Sequence, residues 1–200
     1  MNKIIDYLYH IPSSNDSILS ADVFIIKGNN YNYIYDVGAS TSVFDELNNI
    51  DKKIIFISHF HKDHTKNLSN LNYDKLYLSK YSSKHLNNIG DVINENFIIF
   101  DGIKIEVILI SSPHSKGSIA LNINNTYLLV GDAIYSKEEN GHESYNVSLL
   151  YNLINDLEKI NTKYIIISHK KNVIYKKNTI LEYLKNIYKL KNNKSATIIL

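Results

Sequence analysis

Short runs of consecutive apolar residues, rich in Ile, Leu, Val and Tyr, recur along the chain between polar segments. Runs of this length and composition are typical of β-strands buried on both faces. They predict strands at residues 22–28, 31–38, 52–59, 75–79, 96–100, 103–110, 118–123, 126–132 and 163–169. The first two flank Asn29-Asn30, which predicts a β-hairpin.

Apolar residues spaced three or four positions apart mark a second kind of segment, typical of helices. They predict helices at residues 41–50, 80–89, 147–160 and 177–190, and a shorter one at 64–71. The order is therefore strands, then alternating strands and helices, strands again, and finally strand–helix units. Two stacked sheets with helices outside accommodate this order. We predict an α/β (α+β) fold, a four-layer αββα sandwich.

The composition is that of an ordinary globular protein, with 44% apolar and 21% charged residues. None of the 200 residues is a cysteine, which excludes disulfides and thiolate metal ligands. The apolar runs are too short for a membrane helix, and Asp6 interrupts the first of them, unlike a secretory signal. With no linker or repeat, the sequence predicts a single cytoplasmic domain over residues 1–200 that has no contact with a membrane.

The basic residues are all lysines, concentrated near the carboxyl end. From Lys170 onward there are eight lysines and one acidic residue, Glu182. Such a segment can attract anionic substrates or nucleic acid. Here the lysines alternate with apolar residues at helical spacing, which favours a solvated helix face. Nucleic acid is thus a less favoured partner than a small-molecule substrate, and no pattern indicates the oligomeric state.

The stretch "SHFHKDHTKN", residues 58–67, holds three of the eight histidines. On an extended segment, alternate side chains point the same way, so His59 and His61 can converge on one ion. Asp63 and His64 follow at a predicted helix start and can reach a second ion. Imidazole and carboxylate ligands suit zinc first, and also iron and manganese. The alternative interpretation is a solvated histidine-rich loop.

Three more predicted strands end in a residue that can bind metal. "ILISSPHSKGS" contains His114, "TYLLVGDAIY" contains Asp132, and "YIIISHKKN" contains His169. Residues at the ends of strands can meet at one edge of a sheet, where a rigid scaffold presents them.

With these residues the chain resembles the metallo-β-lactamase superfamily. Its H-x-H-x-D-H signature is matched at residues 59–64, and the resemblance extends from about Val23 to His169. It implies two divalent metal ions, zinc first and iron or manganese as alternatives. Position by position, it implies these ligands: His59, His61 and His114 on the first ion, Asp63, His64 and His169 on the second, and Asp132 bridging both.

The resemblance also implies a chemistry. A water bridging two zinc ions is deprotonated near neutral pH, and the resulting hydroxide attacks an electrophilic carbonyl or phosphorus. Asp63 and Asp132 would take part as catalytic ligands, and Asp36 in "YDVGAS" resembles an outer carboxylate that orients the site. Without a cysteine ligand, the pattern is more similar to hydroxyacylglutathione hydrolases and lactonases. In that comparison Tyr135 would donate to the substrate carbonyl; the alternative is that it fills a loop.

The predicted function is hydrolysis of an ester-type bond, a thioester or lactone, in a small molecule. A phosphodiesterase or nuclease of the same fold is an alternative, in which Lys170, Lys171, Lys176 and Lys177 would hold phosphates near the site. A metal-binding sensor or interaction module without activity is another. The remaining histidines, His10, His85 and His142, are predicted to lie on the surface.

Overall fold

The computed structural model describes residues 1–15, 18–139, 141–192 and 195–200. Within these ranges the strands, in chain order, are β1 Asn2–Ile5, β2 Leu8–Ile11, β3 Val23–Lys27, β4 Asn32–Tyr35, β5 Lys53–Phe56, β6 Lys75–Ser79, β7 Asp91–Ile93, β8 Phe97–Phe100, β9 Lys104–Ile110, β10 Ser118–Ile123, β11 Tyr127–Leu129, β12 Lys137–Glu139, β13 His142–Asn146, β14 Tyr164–Ile166, β15 Ile174–Lys176 and β16 Thr197–Ile199. The helices are α1 Thr41–Asn48, α2 Lys62–Thr65, α3 Lys80–His85, α4 Val147–Lys159 and α5 Lys177–Lys189, with a 3-10 turn at Lys66–Asn70.

Two large sheets organise the molecule. The first has seven strands in the order β1-β2-β3-β4-β5-β6-β7. Its β1–β4 part is antiparallel, including the predicted β3–β4 hairpin, and its β4–β7 part is parallel. The second has six strands in the order β15-β14-β11-β10-β9-β8, with β11 and β14 parallel. A third, three-stranded sheet has the order β12-β13-β16.

Alternating side chains of the central strands build two different layers of core. In β3, Phe24 and Ile26 join the cluster between the two large sheets, whereas Val23 and Ile25 join the cluster under α1. A third cluster lies between the second sheet and the helices α4 and α5. Strands buried on both faces are apolar at every position, which is why they read as continuous runs. The predicted four-layer αββα sandwich is confirmed.

The sequence missed the short strands. β1, β2, β7, β12, β13, β15 and β16 have three to five residues each; β12 is entirely charged, and the others mix polar with apolar positions. Six of them lie at sheet edges or in the third sheet, and β2 lies next to the edge strand β1; several of their positions are not buried, so they carry no continuous apolar run. The predicted helix at 64–71 is divided between α2 and the 3-10 turn.

A buried carboxylate joins the two large sheets at the end that lies away from the strand–helix loops. Asp101, 6% exposed, follows β8 and accepts hydrogen bonds from the Asn30 N–H at 3.0 Å, the Tyr31 N–H at 3.0 Å and the Tyr33 hydroxyl at 3.1 Å. Burial opposes the charge, but the hydrogen bonds from Asn30 and Tyr31 outweigh it and lower the pKa of Asp101. The ionised carboxylate therefore stabilises the folded chain.

Replacing Asp101 with Ala is expected to lower the free energy of unfolding by about 3 kcal/mol at pH 7, because buried donors lose their acceptor. Because the folded pKa is depressed, this contribution is complete above the ordinary carboxyl pKa of about 3.9 and disappears as the pH falls through the folded value. In urea titrations from pH 7 to pH 3, the difference in free energy of unfolding between the two proteins should narrow at the acidic end. Replacing the exposed Asp45 with Ala is the control; an equal effect there would refute the assignment.

Candidate metal centre

Loops that follow five different strands meet at one edge of the two large sheets. Asp36 follows β4, and the segment from Ser58 to His64 follows β5. His114 follows β9, Asp132 follows β11 and His169 follows β14. The sheets are joined at this edge by the Ile119 N–H, which donates to the Ser58 carbonyl at 2.9 Å. Carboxyl ends of parallel strands share an edge, so side chains distant in sequence come together here.

The seven ligands named from the sequence lie in two adjacent groups. Each side chain offers one donor atom, and within each group these atoms lie within 4.8 Å of one another. The groups are His59, His61 and His114, and Asp63, His64, Asp132 and His169. The structure brings His59, His61 and His114 together, and Asp63, His64 and His169 together, with Asp132 in the second group.

Asp132 lies where the groups meet. Its Oδ2 atom is 3.3 Å from His64 Nε2 and 3.6 Å from His169 Nε2 in its own group. The same atom is 3.5 Å from His114 Nε2 in the other group. One carboxylate oxygen therefore contacts both groups, which is the position that a bridging ligand requires.

The donor atoms fit bound cations. Among the described residues, His59 Nε2, His64 Nε2 and Asp132 Oδ1 are buried without a hydrogen-bond partner, an arrangement that costs about 1–3 kcal/mol per atom in a folded protein. The His–carboxylate separations of 3.3–3.6 Å around Asp132 Oδ2 resemble the distance of about 3.4 Å between two ligands of one tetrahedral zinc ion. A pair of divalent cations would satisfy these atoms.

Surrounding groups determine which ring nitrogen of each histidine faces the centre. Asp36 holds His64 Nδ1 at 2.8 Å and accepts the Ser58 N–H at 2.7 Å. The Ser58 hydroxyl lies 3.0 Å from His59 Nδ1. His114 Nδ1 donates to the Ser136 carbonyl at 2.9 Å, so its Nε2 is the nitrogen that faces the centre. Such contacts fix the tautomer and the direction of a ligand ring.

The backbone around the centre adopts conformations that the sequence does not reveal. Asp36 and His169 both have positive φ, 62° and 59°, which costs a non-glycine residue on the order of 1 kcal/mol. Gly131, before Asp132, has φ 55°, and a Cβ there would lie 2.8 Å from the Ser58 hydroxyl. Only glycine allows the β11 loop to approach the β5 loop this closely.

Charge is distributed unevenly over the histidines. Burial, reinforced by the neighbouring His64, holds the pKa of His59 well below its ordinary value. For His64, burial acts in the same direction, but Asp36 and Asp132 outweigh it and raise the pKa well above the ordinary value. Burial also opposes ionisation of Asp132, yet His64 keeps the pKa of this carboxyl low. A cation bound at His64 would replace the proton there, since a histidine ligand is neutral.

The sequence missed a pair of residues behind His169. The Asp22 carboxylate accepts the His169 N–H at 2.7 Å and lies 2.5 Å from His10 Nε2. The predicted surface position of His10 is wrong: its side chain is 12% exposed and stacks on Phe24. A charged residue at the start of a buried strand, as in "SADVFII", was the available signal. His85 and His142 are exposed, as predicted.

Tyr135 lies beside the centre, with its ring 6.4 Å from that of His114. Its hydroxyl donates to the Ser168 carbonyl, next to His169. Burial and the nearby Asp132 raise the pKa of Tyr135, so the hydroxyl stays protonated. In this arrangement Tyr135 supports the His169 loop; donation to a substrate carbonyl stays a prediction.

The prediction that four lysines after His169 lie near the site is wrong for two of them, Lys176 and Lys177. Lys177 Nζ donates to the Ile160 carbonyl at 2.6 Å, behind the second sheet. Lys176 pairs with Tyr164, at the end of β14 opposite His169. Lys170 does lie close, with its Nζ 5.6 Å from the Tyr135 ring centre. Lys170, Lys176 and Lys177 thus do not form a continuous patch around the centre.

The fold is similar to that of metallo-β-lactamase superfamily proteins. A metallo-β-lactamase superfamily protein from Sulfolobus tokodaii aligns with 90% of this chain and 86% of its own length, at 16% identity and a TM-score of 0.63. A metallo-β-lactamase from Pontibacter korlensis aligns with 92% of this chain and 98% of its own length, at 13% identity and a TM-score of 0.68. A mutant flavo di-iron protein from Thermotoga maritima aligns with 86% of this chain and 54% of its own length, at 14% identity and a TM-score of 0.66. The chain therefore spans about half of that protein.

No protein-family model and no curated protein sequence matches this chain. None of the helices in the described part of the chain is long and apolar enough to cross a membrane.

Proposed function

We propose that this chain is a metal-dependent hydrolase with a dinuclear centre, which acts on an ester-type bond, a thioester or lactone, of a small molecule. Zinc is the metal proposed first, with iron or manganese as alternatives. The observation that carries the proposal is the position of Asp132 Oδ2, within 3.6 Å of histidine nitrogens from both ligand groups. The superfamily fold supports it.

His59, His61 and His114 would hold one ion and Asp63, His64 and His169 the other, with Asp132 shared. Bound divalent ions supply a nucleophile from water at neutral pH and polarise the oxygen of the substrate.

The residues of this chain determine how a substrate would approach. His59 and His64 are buried, whereas Asp63, His114 and His169 are 17%, 20% and 21% exposed. The open side of the centre is therefore formed by these three residues together with His61, which is also partly exposed. Asp63 is the exposed carboxylate, with its Oδ2 atom 3.1 Å from His169 Nε2. We assign to it the proton released as water attacks and the transfer of that proton to solvent.

The test combines metal analysis with rates on four substrates: p-nitrophenyl acetate, a thioester, a lactone and bis-p-nitrophenyl phosphate. We expect two equivalents of metal per chain and higher kcat/KM for the carboxylic esters than for the phosphodiester. A chelator should remove activity, and added zinc, iron or manganese should restore it. Faster hydrolysis of the phosphodiester would favour the nuclease alternative. A fully metal-loaded protein without turnover would favour the sensor alternative.

Replacing Tyr135 with Phe is expected to slow lactone hydrolysis about tenfold without changing metal content, because the substrate carbonyl would lose the hydroxyl donor that the comparison with lactonases assigns to it. Replacing the exposed Tyr151 with Phe on α4 is the control. Steady-state rates and metal analysis of both variants check this. An unchanged lactone rate in the Tyr135 variant would end the comparison with lactonases.

A further inference from the structure

Two cavities open beside the metal centre and share His114 in their linings. One has a volume of about 430 Å³ and extends from His61. The other has a volume of about 580 Å³ and extends from His169. Both sizes suit parts of a small organic molecule.

The three-stranded sheet β12-β13-β16 stands between the cavities; we call it the septum. In β12 and β13, Lys137 pairs with Ser144, and Glu138 pairs with Glu143. Successive residues of a strand point to opposite faces, so these pairs face opposite sides. Lys137 and Ser144 line the smaller cavity, and Glu138 and Glu143 line the larger one. Each face of the septum is thus one wall of a cavity.

The larger cavity, which we call the tyrosine cavity, combines aromatic and aliphatic side chains with the charged groups of Glu138, Glu143 and Lys170. Ile134, Ile167 and Ile180 in its lining are only 3–4% exposed. Its tyrosines come from four separate segments: Tyr135, Tyr145, Tyr175 and Tyr183. Tyrosine faces and branched aliphatic side chains bind apolar groups by contact and exclusion of water.

The smaller cavity, which we call the lysine cavity, has a different chemistry. Lys116 and Lys137 contribute to its lining, together with the hydroxyls of Ser112 and Ser144 and the amide of Asn146. Among the described residues that line it, none is acidic. Cations and neutral hydrogen-bonding groups suit a carboxylate or another anionic group.

We infer that the substrate has two unlike ends, an aliphatic or aromatic group held in the tyrosine cavity and a negatively charged group held in the lysine cavity. The scissile ester-type bond would lie at His114, which both cavities share. The inference rests on the proposed function and adds the substrate class to it. The septum separates the two ends, since a single strand pair presents carboxylates to one cavity and a lysine to the other.

The apolar end is tested with p-nitrophenyl acetate, butyrate, hexanoate and octanoate on the metal-loaded protein. Each added methylene pair is expected to raise kcat/KM by about tenfold until the cavity is filled. Replacing the exposed Thr179 with Trp, at the mouth of the tyrosine cavity, should reduce the octanoate-to-acetate ratio at least tenfold. The matched control is Asn178→Trp at the exposed neighbouring position, which lines a separate groove on α5; this variant should keep the wild-type ratio. If the protein hydrolyses the acetate but kcat/KM does not rise with chain length, this inference is overturned while the proposed function stands.

The charged end is tested with two thioesters of octanoate, one of 3-mercaptopropionate and one of 2-mercaptoethanol. The anionic thioester should have the higher kcat/KM, by tenfold or more at low salt, and the preference should fall as salt is added. The Lys116→Met variant should lose most of the preference, and Lys84→Met, on the exposed side of α3, should retain it. Equal rates for both thioesters in the wild-type protein would contradict the assignment of the lysine cavity.

A binding measurement separates this inference from the proposed function. N-octanoyl-β-alanine has an amide in place of the thioester, and its binding can be measured by calorimetry whether or not any ester is hydrolysed. Binding that weakens in Thr179→Trp and in Lys116→Met would support the two cavities even if no ester is turned over. An absence of binding to the wild-type protein would refute them.

Discussion

The Asp132→Ala variant is expected to lose metal and hydrolysis together. Asp132 Oδ2 lies within 3.6 Å of histidine nitrogens from both groups, so its removal leaves each group short of a ligand. We expect loss of at least one equivalent of metal and a fall in kcat/KM on the order of a thousandfold.

The design of this test uses two further variants. Asp132→Asn keeps the shape of the side chain and removes its charge, so it should retain some metal but little activity. Asp45→Ala removes an exposed carboxylate and should keep both wild-type metal content and wild-type rate. Metal analysis after gel filtration, followed by rates with and without added zinc, gives the result. Full activity in Asp132→Ala would disprove the bridging position.

The Asp36→Ala variant is expected to bind metal about 10–100-fold more weakly, although Asp36 belongs to neither ligand group. Its carboxylate holds His64 Nδ1 at 2.8 Å, and without it the buried imidazole is free to turn away from the centre. The Ser58 N–H also loses its acceptor, so we expect the free energy of unfolding of the metal-free protein to fall by about 2 kcal/mol.

Asp36→Asn separates the two effects. Asn tolerates the positive φ of 62° and can still accept from Ser58, so stability should be largely retained. The charge that favours the correct His64 tautomer is lost, and metal affinity should remain low. Zinc titrations and urea unfolding with excess chelator measure the two quantities. Wild-type affinity in both variants would show that His64 is oriented by other contacts.

The candidate ligands were found in the sequence because the spacing of residues 59–64 and the position of ligands after apolar strands are local properties. Continuous apolar runs, such as "KKIIFISH", predicted the buried strands, since a strand covered on both faces has no polar alternation. The four layers followed from the order of these elements. The predicted strand at 126–132 included Gly131, and no local pattern indicated the positive φ or the close approach to Ser58 that require glycine there.

The sequence by itself determined which residues are able to bind metal and which strands carry them. Only the tertiary structure decided that Asp22 supports His169 from 147 positions away, that Tyr135 donates to Ser168, and that the septum is completed by a strand from the carboxyl end. The reason is physical: periodicity specifies the face on which a side chain lies, whereas these contacts depend on how two sheets stack. That stacking is fixed by packing between residues far apart in the chain, which no local pattern encodes.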